Sequence, residues 1–439
     1  MKNICCVIGL AVWLVSLPGC DRPLEPEAVH QTANGSVVFQ LSKSLTAGSL
    51  RMISITLQRE GYSSIADSVI LSSQSLLIEF PSVPIGIWQV FVIGYDSLQR
   101  SMYYGEGQVD VKEEQTSSIT IALVVTGGYG AIQVGVVIAT APPSWDVSST
   151  PVLSQTAGTE DANQFYFSQP AVLKVNNEYK MWYATGYASS LSGKDTVGIS
   201  YAVSSNGTTW TKKGPIQFGS ALPSWAAAFV QTPCALYENG VYKLWFEGGM
   251  AGKIHNGIGY ATSSDGIHWT VRSTPVIPVS ADQPYVFGPS VLHLSSGYRM
   301  YYNVEIRTAG LREVIYAVNS FDGITWTSPK QVMERRSRAS WDGIGPFCPK
   351  VIYDEGKYLM SYSTSYTGNQ AALGYAESSD GISWHFFGTK PDLSPSDFGT
   401  PNIVGVAYSC IMKDGGKMKM WYSMLTSSPY RWQIGYGER

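Results

Sequence analysis

"IGYATSSDGIHWT", residues 258 to 270, decides the fold, because the chain says it four times. The other copies are "ISYAVSSNGTTWT" from Ile199, "VIYAVNSFDGITWT" from Val314 and "LGYAESSDGISWH" from Leu373. Each begins as a strand and then reaches Asn206-Gly207, Asp265-Gly266, Asp322-Gly323 or Asp380-Gly381. Both residues of such a pair tolerate positive φ, which is the chemistry of a tight hairpin. Four residues beyond each Asn or Asp stands Trp210, Trp269, Trp326 or Trp384, a large side chain suited to the gap between neighbouring sheets. The stretch therefore reads as scaffolding rather than as a site.

Each copy follows a second motif. "QPAVLKVNNEYKMWY", "TPCALYENGVYKLWF", "GPSVLHLSSGYRMYY", "CPKVIYDEGKYLMSY" and "YSCIMKDGGKMKMWY" align on Pro170, Pro233, Pro289, Pro349 and Ser409. These anchors recur roughly every 60 residues, a period that signals a repeat architecture. Each unit reads as strand, turn, strand, then a third strand and a hairpin. Five such four-stranded sheets predict an all-β five-bladed β-propeller. The fifth copy stops at "IGYGER" after three strands, so "TPVLS" (Thr150 to Ser154) is predicted to supply the fourth and close the ring, which removes the exposed edges.

The propeller is assigned to residues 140–439, and a smaller unit precedes it. Residues 35–139 alternate apolar and polar in short runs such as "RMISITLQ" and "GIWQVFVIGYD", which predicts a β-sandwich. It resembles the immunoglobulin-like or transthyretin-like modules of bacterial surface lipoproteins and reads as a spacer, the other reading being a carbohydrate-binding module. Residues 20–34 are polar and Pro-bearing, a tether. Lys2 and the apolar run Ile4 to Leu17 lead into "LPGC", ending at Cys20. The run is short for a membrane span. It resembles a lipoprotein signal peptide (residues 1–19), implying lipid on Cys20 as a membrane anchor and a place in the bacterial cell envelope, periplasmic or surface-exposed; an ordinary secretory signal is the alternative. Asp21 is similar to an inner-membrane retention signal.

Composition narrows the partners. Only 14% of the 439 residues are charged and the net charge is -3, without a long basic run, so nucleic acid is excluded as a partner. Trp (13) and Tyr (27) are abundant, which suits both core packing and sugar platforms. With Cys5 and Cys6 in the signal and Cys20 lipidated, Cys234, Cys348 and Cys410 remain, an odd number without metal-ligand spacing. They are expected as buried side chains, and no metal site or cofactor is expected.

The pairing of "xPxV…YKMWY" with "IGYATSSDGxxW" resembles the five-bladed propellers of glycoside hydrolase families 43, 32, 62, 68 and 130. That resemblance implies a poly- or oligosaccharide partner and catalytic carboxylates where the innermost strands begin, beside the aligned Pro. One carboxylate would activate water or attack, and an acid would protonate the leaving oxygen. The matching positions here are Gln169, Thr232, Gly288, Cys348 and Tyr408, none acidic. Gln169, Thr232 and Tyr408 are therefore read as substrate-binding.

Acids nearby become the catalytic candidates. Asp282 and Asp342 lie seven residues ahead of their anchors, where Asn163 and Asn402 suggest loop capping as the alternative. Glu247 and Glu305 end second strands, and the repeat does not require Glu247, whose equivalents are Ala184, Asn303, Ser363 and Ser423. A solvated or paired surface role is the other reading of Glu247. Arg307, and Arg336 in the loop "ERRSRASWD", can grip a carboxylate or phosphate, or simply be solvated; family 130 phosphorylases use bound phosphate. Trp341, like Trp225, is either a sugar platform or a wedge between blades. Two functions stay open: a glycoside hydrolase or phosphorylase with relocated acids, and a glycan-binding or protein-interaction scaffold without catalysis.

Overall fold

The computed structural model describes residues 34–41, 51–70, 77–98, 100–111, 117–125, 131–138, 144–157, 164–187, 196–219, 221–253, 255–307, 311–335, 343, 345–366, 370–386 and 391–439. Cys20 with its signal, Arg336, Trp341 and Asp342 lie outside these residues.

The N-terminal unit has eight strands: β1 (Asn34–Leu41), β2 (Met52–Gln58), β3 (Ile65–Ile70), β4 (Leu77–Pro84), β5 (Gly86–Tyr95), β6 (Ser101–Val111), β7 (Ser117–Val125) and β8 (Ala131–Ile138). They hydrogen-bond as one sheet in the order β3-β2-β5-β6-β7-β8-β1-β4 rather than as two separate sheets. Ile53, Ile55 and Leu57 alternate inward on β2, and Trp88, Val90 and Val92 do so on β5. That period of two is what one buried sheet face requires.

Five further sheets follow, each antiparallel from its inner strand outward. Blade one comprises β10 (Tyr166–Val175), β11 (Glu178–Tyr187), β12 (Thr196–Ser204) and β13 (Thr211–Pro215). Blade two comprises β15 (Phe229–Glu238), β16 (Val241–Gly249), β17 (Ile258–Ser263) and β18 (His268–Val271), with β14 (Gln217–Phe218) added in parallel at its edge. Blade three comprises β19 (Val286–Leu294), β20 (Gly297–Ile306), β21 (Arg312–Ser320) and β22 (Lys330–Glu334), and blade four β23 (Phe347–Asp354), β24 (Lys357–Tyr366), β25 (Gln370–Ser378) and β26 (His385–Phe386). Blade five comprises β27 (Ile403–Asp414), β28 (Lys417–Ser427), β29 (Tyr430–Glu438) and, from ahead of blade one, β9 (Asp146–Val147). The closing strand thus lies slightly before the predicted "TPVLS", whose Leu153 still bridges Ile434.

The repeated hairpin latches one blade to the next. The backbone N–H groups of Thr325 and Ile324 donate to Asp322, and the Thr325 bond foremost holds that carboxyl at a pKa of about 2. The glycine carbonyl of the turn, which in two hairpins already accepts from the hairpin's own Trp210 or Trp269 at 3.0 Å, also accepts an aromatic donor from the preceding blade. Trp182 Nε1 donates to Gly266 O at 2.8 Å, Trp245 to Gly323 O at 2.9 Å, the Tyr301 hydroxyl to Gly381 O at 2.8 Å, and Trp421 to Gly207 O at 2.7 Å. Blade five carries no such hairpin, and blade four has Ser361 where the aromatic donor would stand, bonded instead to Ser409 at 2.6 Å. The two departures from the repeat explain each other. Cys234 and Cys410 also join blades, each accepting a backbone N–H of the next inner strand, from Val291 at 3.2 Å and Val172 at 3.3 Å. Cys234, Cys348 and Cys410, the cysteines among the described residues, are free and buried.

Candidate active site

Every inner strand carries a bulge at the aligned position. Register shifts fall between Ser168 and Ala171, Gln231 and Cys234, Phe287 and Ser290, Phe347 and Lys350, and Ala407 and Cys410. Proline has no N–H to pair, so a bulge is where a strand tolerates it. The residue before the aligned Pro, or before Ser409 in blade five, is left-handed: φ is 56° at Gln169, 46° at Thr232, 62° at Gly288, 46° at Cys348 and 52° at Tyr408. Four non-glycine residues in that region at equivalent places mark the strained backbone that proteins hold at their sites.

These five residues, with Lys350, line a narrow crevice with room for roughly one water. Their N–H groups are met by the preceding blade: Ser423 Oγ takes Gln169 N at 2.8 Å, Asn303 Oδ1 takes Cys348 N at 2.6 Å, and Ser363 Oγ takes Tyr408 N at 2.7 Å. Blade one has Ala184 at that position and cannot serve Thr232. Gln169 Oε1 does so instead, at 2.9 Å. Of the residues read as substrate-binding, Gln169 therefore spends its acceptor on Thr232, Thr232 is buried, and half-buried Tyr408 sets its ring against Phe347 and Trp432 at 5.9 and 6.0 Å. Lys350 donates to the carbonyls of Pro233 (3.0 Å) and Pro289 (3.3 Å).

Ionisable groups gather beside this crevice, between blades two and three. Glu247 is wholly buried and accepts from Gln231 Nε2 (2.9 Å), Thr232 Oγ1 (3.2 Å) and His255 Nδ1 (2.7 Å). His255 follows β16 at φ 53°, stacks on Phe287 at 4.1 Å, and accepts Val286 N on its carbonyl at 2.9 Å, so it is fixed between the blades. Burial opposes its charged form, but the charge and hydrogen bond of Glu247, with Glu305 and Glu313 farther off, prevail and raise its pKa above the ordinary 6.5.

Glu313, the second residue of β21, lies directly opposite Glu305 on β20 and is itself buried. Paired residues of an antiparallel ladder share a face with Cβ atoms about 5 Å apart. Burial first, and the charge of Glu305 second, push the Glu313 carboxyl up to about 8. It is thus a protonated acid at neutral pH, held by Asn303 Nδ2 at 3.1 Å. Glu305 pairs with Arg307 Nε, and the Arg307 guanidinium lies over Tyr285 at 4.3 Å. A protonated carboxyl facing a second carboxyl that is held by Arg307 is an arrangement suited to general acid–base chemistry.

Among the predicted catalytic residues, Glu247 and Glu305 come together here. Asp282 is exposed on the loop ahead of blade three, and the turn beside it is capped by Ser280 Oγ on Gln283 N at 3.0 Å. Asn402, by contrast, is a loop cap, its Oδ1 accepting Ser428 N at 2.9 Å. Trp225 packs on the blade it leads into, stacked on Phe246 at 6.1 Å and donating Nε1 to Ser273 O at 3.2 Å. Glu313 and His255 are the participants that sequence reasoning missed. A signal for Glu313 existed: the register aligns it with Val197, Asn256, Ala371 and Trp432, so the repeat demands no acid there. Among the described residues no cluster of His, Cys, Asp and Glu is arranged to hold a metal ion.

No protein-family model matches the chain, and no curated protein matches its sequence. Solved structures do match its shape. A β-1,2-mannobiose phosphorylase from Listeria innocua superposes with a TM-score of 0.53 at 12% identity, over 67% of this chain and 96% of its own. The catalytic domain of a Coprinopsis cinerea family 62 α-L-arabinofuranosidase gives 0.53 at 10% identity over 67% and 96%. A thermostable family-43 glycoside hydrolase gives 0.50 at 20% over 65% and 91%. Likeness at such identities speaks for architecture alone: the chain is built as the all-β propeller on which these enzymes are made.

Proposed function

We propose that this protein cleaves glycosidic bonds, with Glu313 as proton donor and Glu305 as the paired carboxylate. The observation that carries the reading is the cross-strand pair itself, one carboxyl protonated at neutral pH and its neighbour held by Arg307. Glu313 gives its proton to the glycosidic oxygen as the bond to the anomeric carbon breaks. Glu305 takes a proton from water, whose hydroxyl joins that carbon, and the pair exchanges the proton for the next turnover. Glu247 has both carboxylate oxygens engaged, by Gln231 and His255 on one and Thr232 on the other, and serves to orient His255 through Nδ1, leaving Nε2 as the ring's remaining polar atom. The propeller would work in the cell envelope, lipid-anchored through Cys20 and lifted by the N-terminal unit, a placement supported by the apolar run ahead of "LPGC".

The test is to incubate the full chain with a panel of polysaccharides and oligosaccharides, with and without phosphate, and follow released sugars by chromatography. Release that falls at least about 100-fold in Glu313→Gln, as loss of a general acid should bring, supports the assignment. Asp282→Asn, on the exposed loop, should leave it unchanged. Binding without release from any substrate would instead make this a glycan-capturing propeller, and a phosphate requirement would make it a phosphorylase.

A further inference from the structure

Next to the acid cluster opens a cavity of about 720 Å³, lined by Gly252, Lys253, Val279, Ser280, Pro284, Tyr285 and Arg307. Its size is that of a small-ligand pocket. It is continuous with the cluster, since Arg307 binds Glu305, Tyr285 O accepts Glu305 N at 3.1 Å, and Lys253 precedes His255 by two residues.

The lining has one sign of charge. Lys253 and Arg307 both contribute to the wall, and no acidic residue does among those described. The chain as a whole is sparsely charged and net negative, so a wall with two cationic side chains, Arg307 paired with Glu305 behind it and Lys253 beside it, departs from its background. Arg307 uses Nε for Glu305 and packs on Tyr285, which fixes the plane of its guanidinium, and its Nη atoms make no further hydrogen bond among the described residues. A planar fork held in this way suits the two oxygens of a carboxylate, with the ammonium of Lys253 as a second, less directional charge.

We infer that the cavity selects an anionic sugar, specifically a uronic acid residue, beside the bond being cleaved. The inference rests on the glycan-cleaving reading and adds the substrate class to it. Calorimetric titration of the full chain would compare trigalacturonate, its methyl ester, a sulfated neutral trisaccharide and the neutral trisaccharide itself. The free acid should bind at least about ten-fold tighter than its ester, the loss expected when a charge-assisted contact is removed. Lys253→Met should reduce that preference, and Arg307→Met should abolish it. Because Lys253 is half-buried at the end of an exposed turn and makes no ion pair among the described residues, its variant decides the matter even if Arg307→Met disturbs Glu305. Equal binding of acid and ester, a preference for the sulfated sugar, or a preference unmoved by Lys253→Met would overturn the inference. Neutral sugars bound and cleaved without discrimination would overturn it while leaving glycan cleavage standing; no glycan bound or cleaved would remove both.

Discussion

Replacing Gly266 with Ala should show how much the latch between blades contributes. The residue sits at φ +80°, and a Cβ built there falls 2.9 Å from Cζ2 of Trp182, whose Nε1 donates to the Gly266 carbonyl at 2.8 Å. Left-handed backbone costs a non-glycine residue roughly 1–2 kcal/mol. Moving the indole weakens a buried hydrogen bond worth about 1 kcal/mol and loosens the packing around a fully buried side chain. The expected loss is therefore about 3 kcal/mol in all. Gly240 supplies the control: its φ is +82°, and nothing lies within 4 Å of its built Cβ. Gly240→Ala should cost only the backbone term, roughly 1–2 kcal/mol. Urea unfolding followed by tryptophan fluorescence compares the two in one protein. If Gly266→Ala is no more destabilising than Gly240→Ala, the hairpin is an ordinary turn and the latch an incidental contact.

Stability should also report on Glu313. A carboxyl raised from 4.5 to about 8 binds more protons folded than unfolded, so wild type loses stability as pH rises from 4.5 through 8; Glu313→Gln should lack that loss in melting curves taken across the range. What slope remains should include His255, whose raised folded pKa gives stability present below 6.5 and lost as pH rises through the folded value. Gln169→Leu should cost about 1–3 kcal/mol by leaving Thr232 N unpaired. Adding Ala184→Ser should restore part of this, because a serine serves the equivalent bond at Ser363 and Ser423; chemical denaturation of single and double variants checks the coupling. Lys350→Met should destabilise by about 1–3 kcal/mol, since two carbonyls at the crevice lose their donor, and thermal unfolding measures it.

The propeller was legible because its signals are local. Asp-Gly turns, the following Trp and the anchoring Pro each act within a few residues, and their recurrence counts the blades. The closing strand was less so: an outermost strand as short as Asp146–Val147 needs no apolar stripe, and nothing in its sequence separates it from neighbouring "TPVLS". The N-terminal strands alternate as expected, yet alternation does not say whether eight strands form one sheet or two. At the site, Glu247 stood out as an acid the repeat does not demand, and Glu305 as an acid at the end of a second strand. Glu313 escaped because its significance comes from facing Glu305 across a strand pair, a relation set by register. His255 escaped because a lone histidine in a loop carries no pattern until Glu247 and Phe287 are seen beside it.

The most direct test of the central claim is the pH dependence of glycan release by wild type and Glu313→Gln on whichever substrate of the panel is cleaved. Activity that needs a protonated Glu313 should fall on an alkaline limb near pH 8, and the variant should lose both the activity and that limb. Release that persists undiminished in Glu313→Gln, with the same alkaline limb, would contradict the account and place the acid elsewhere.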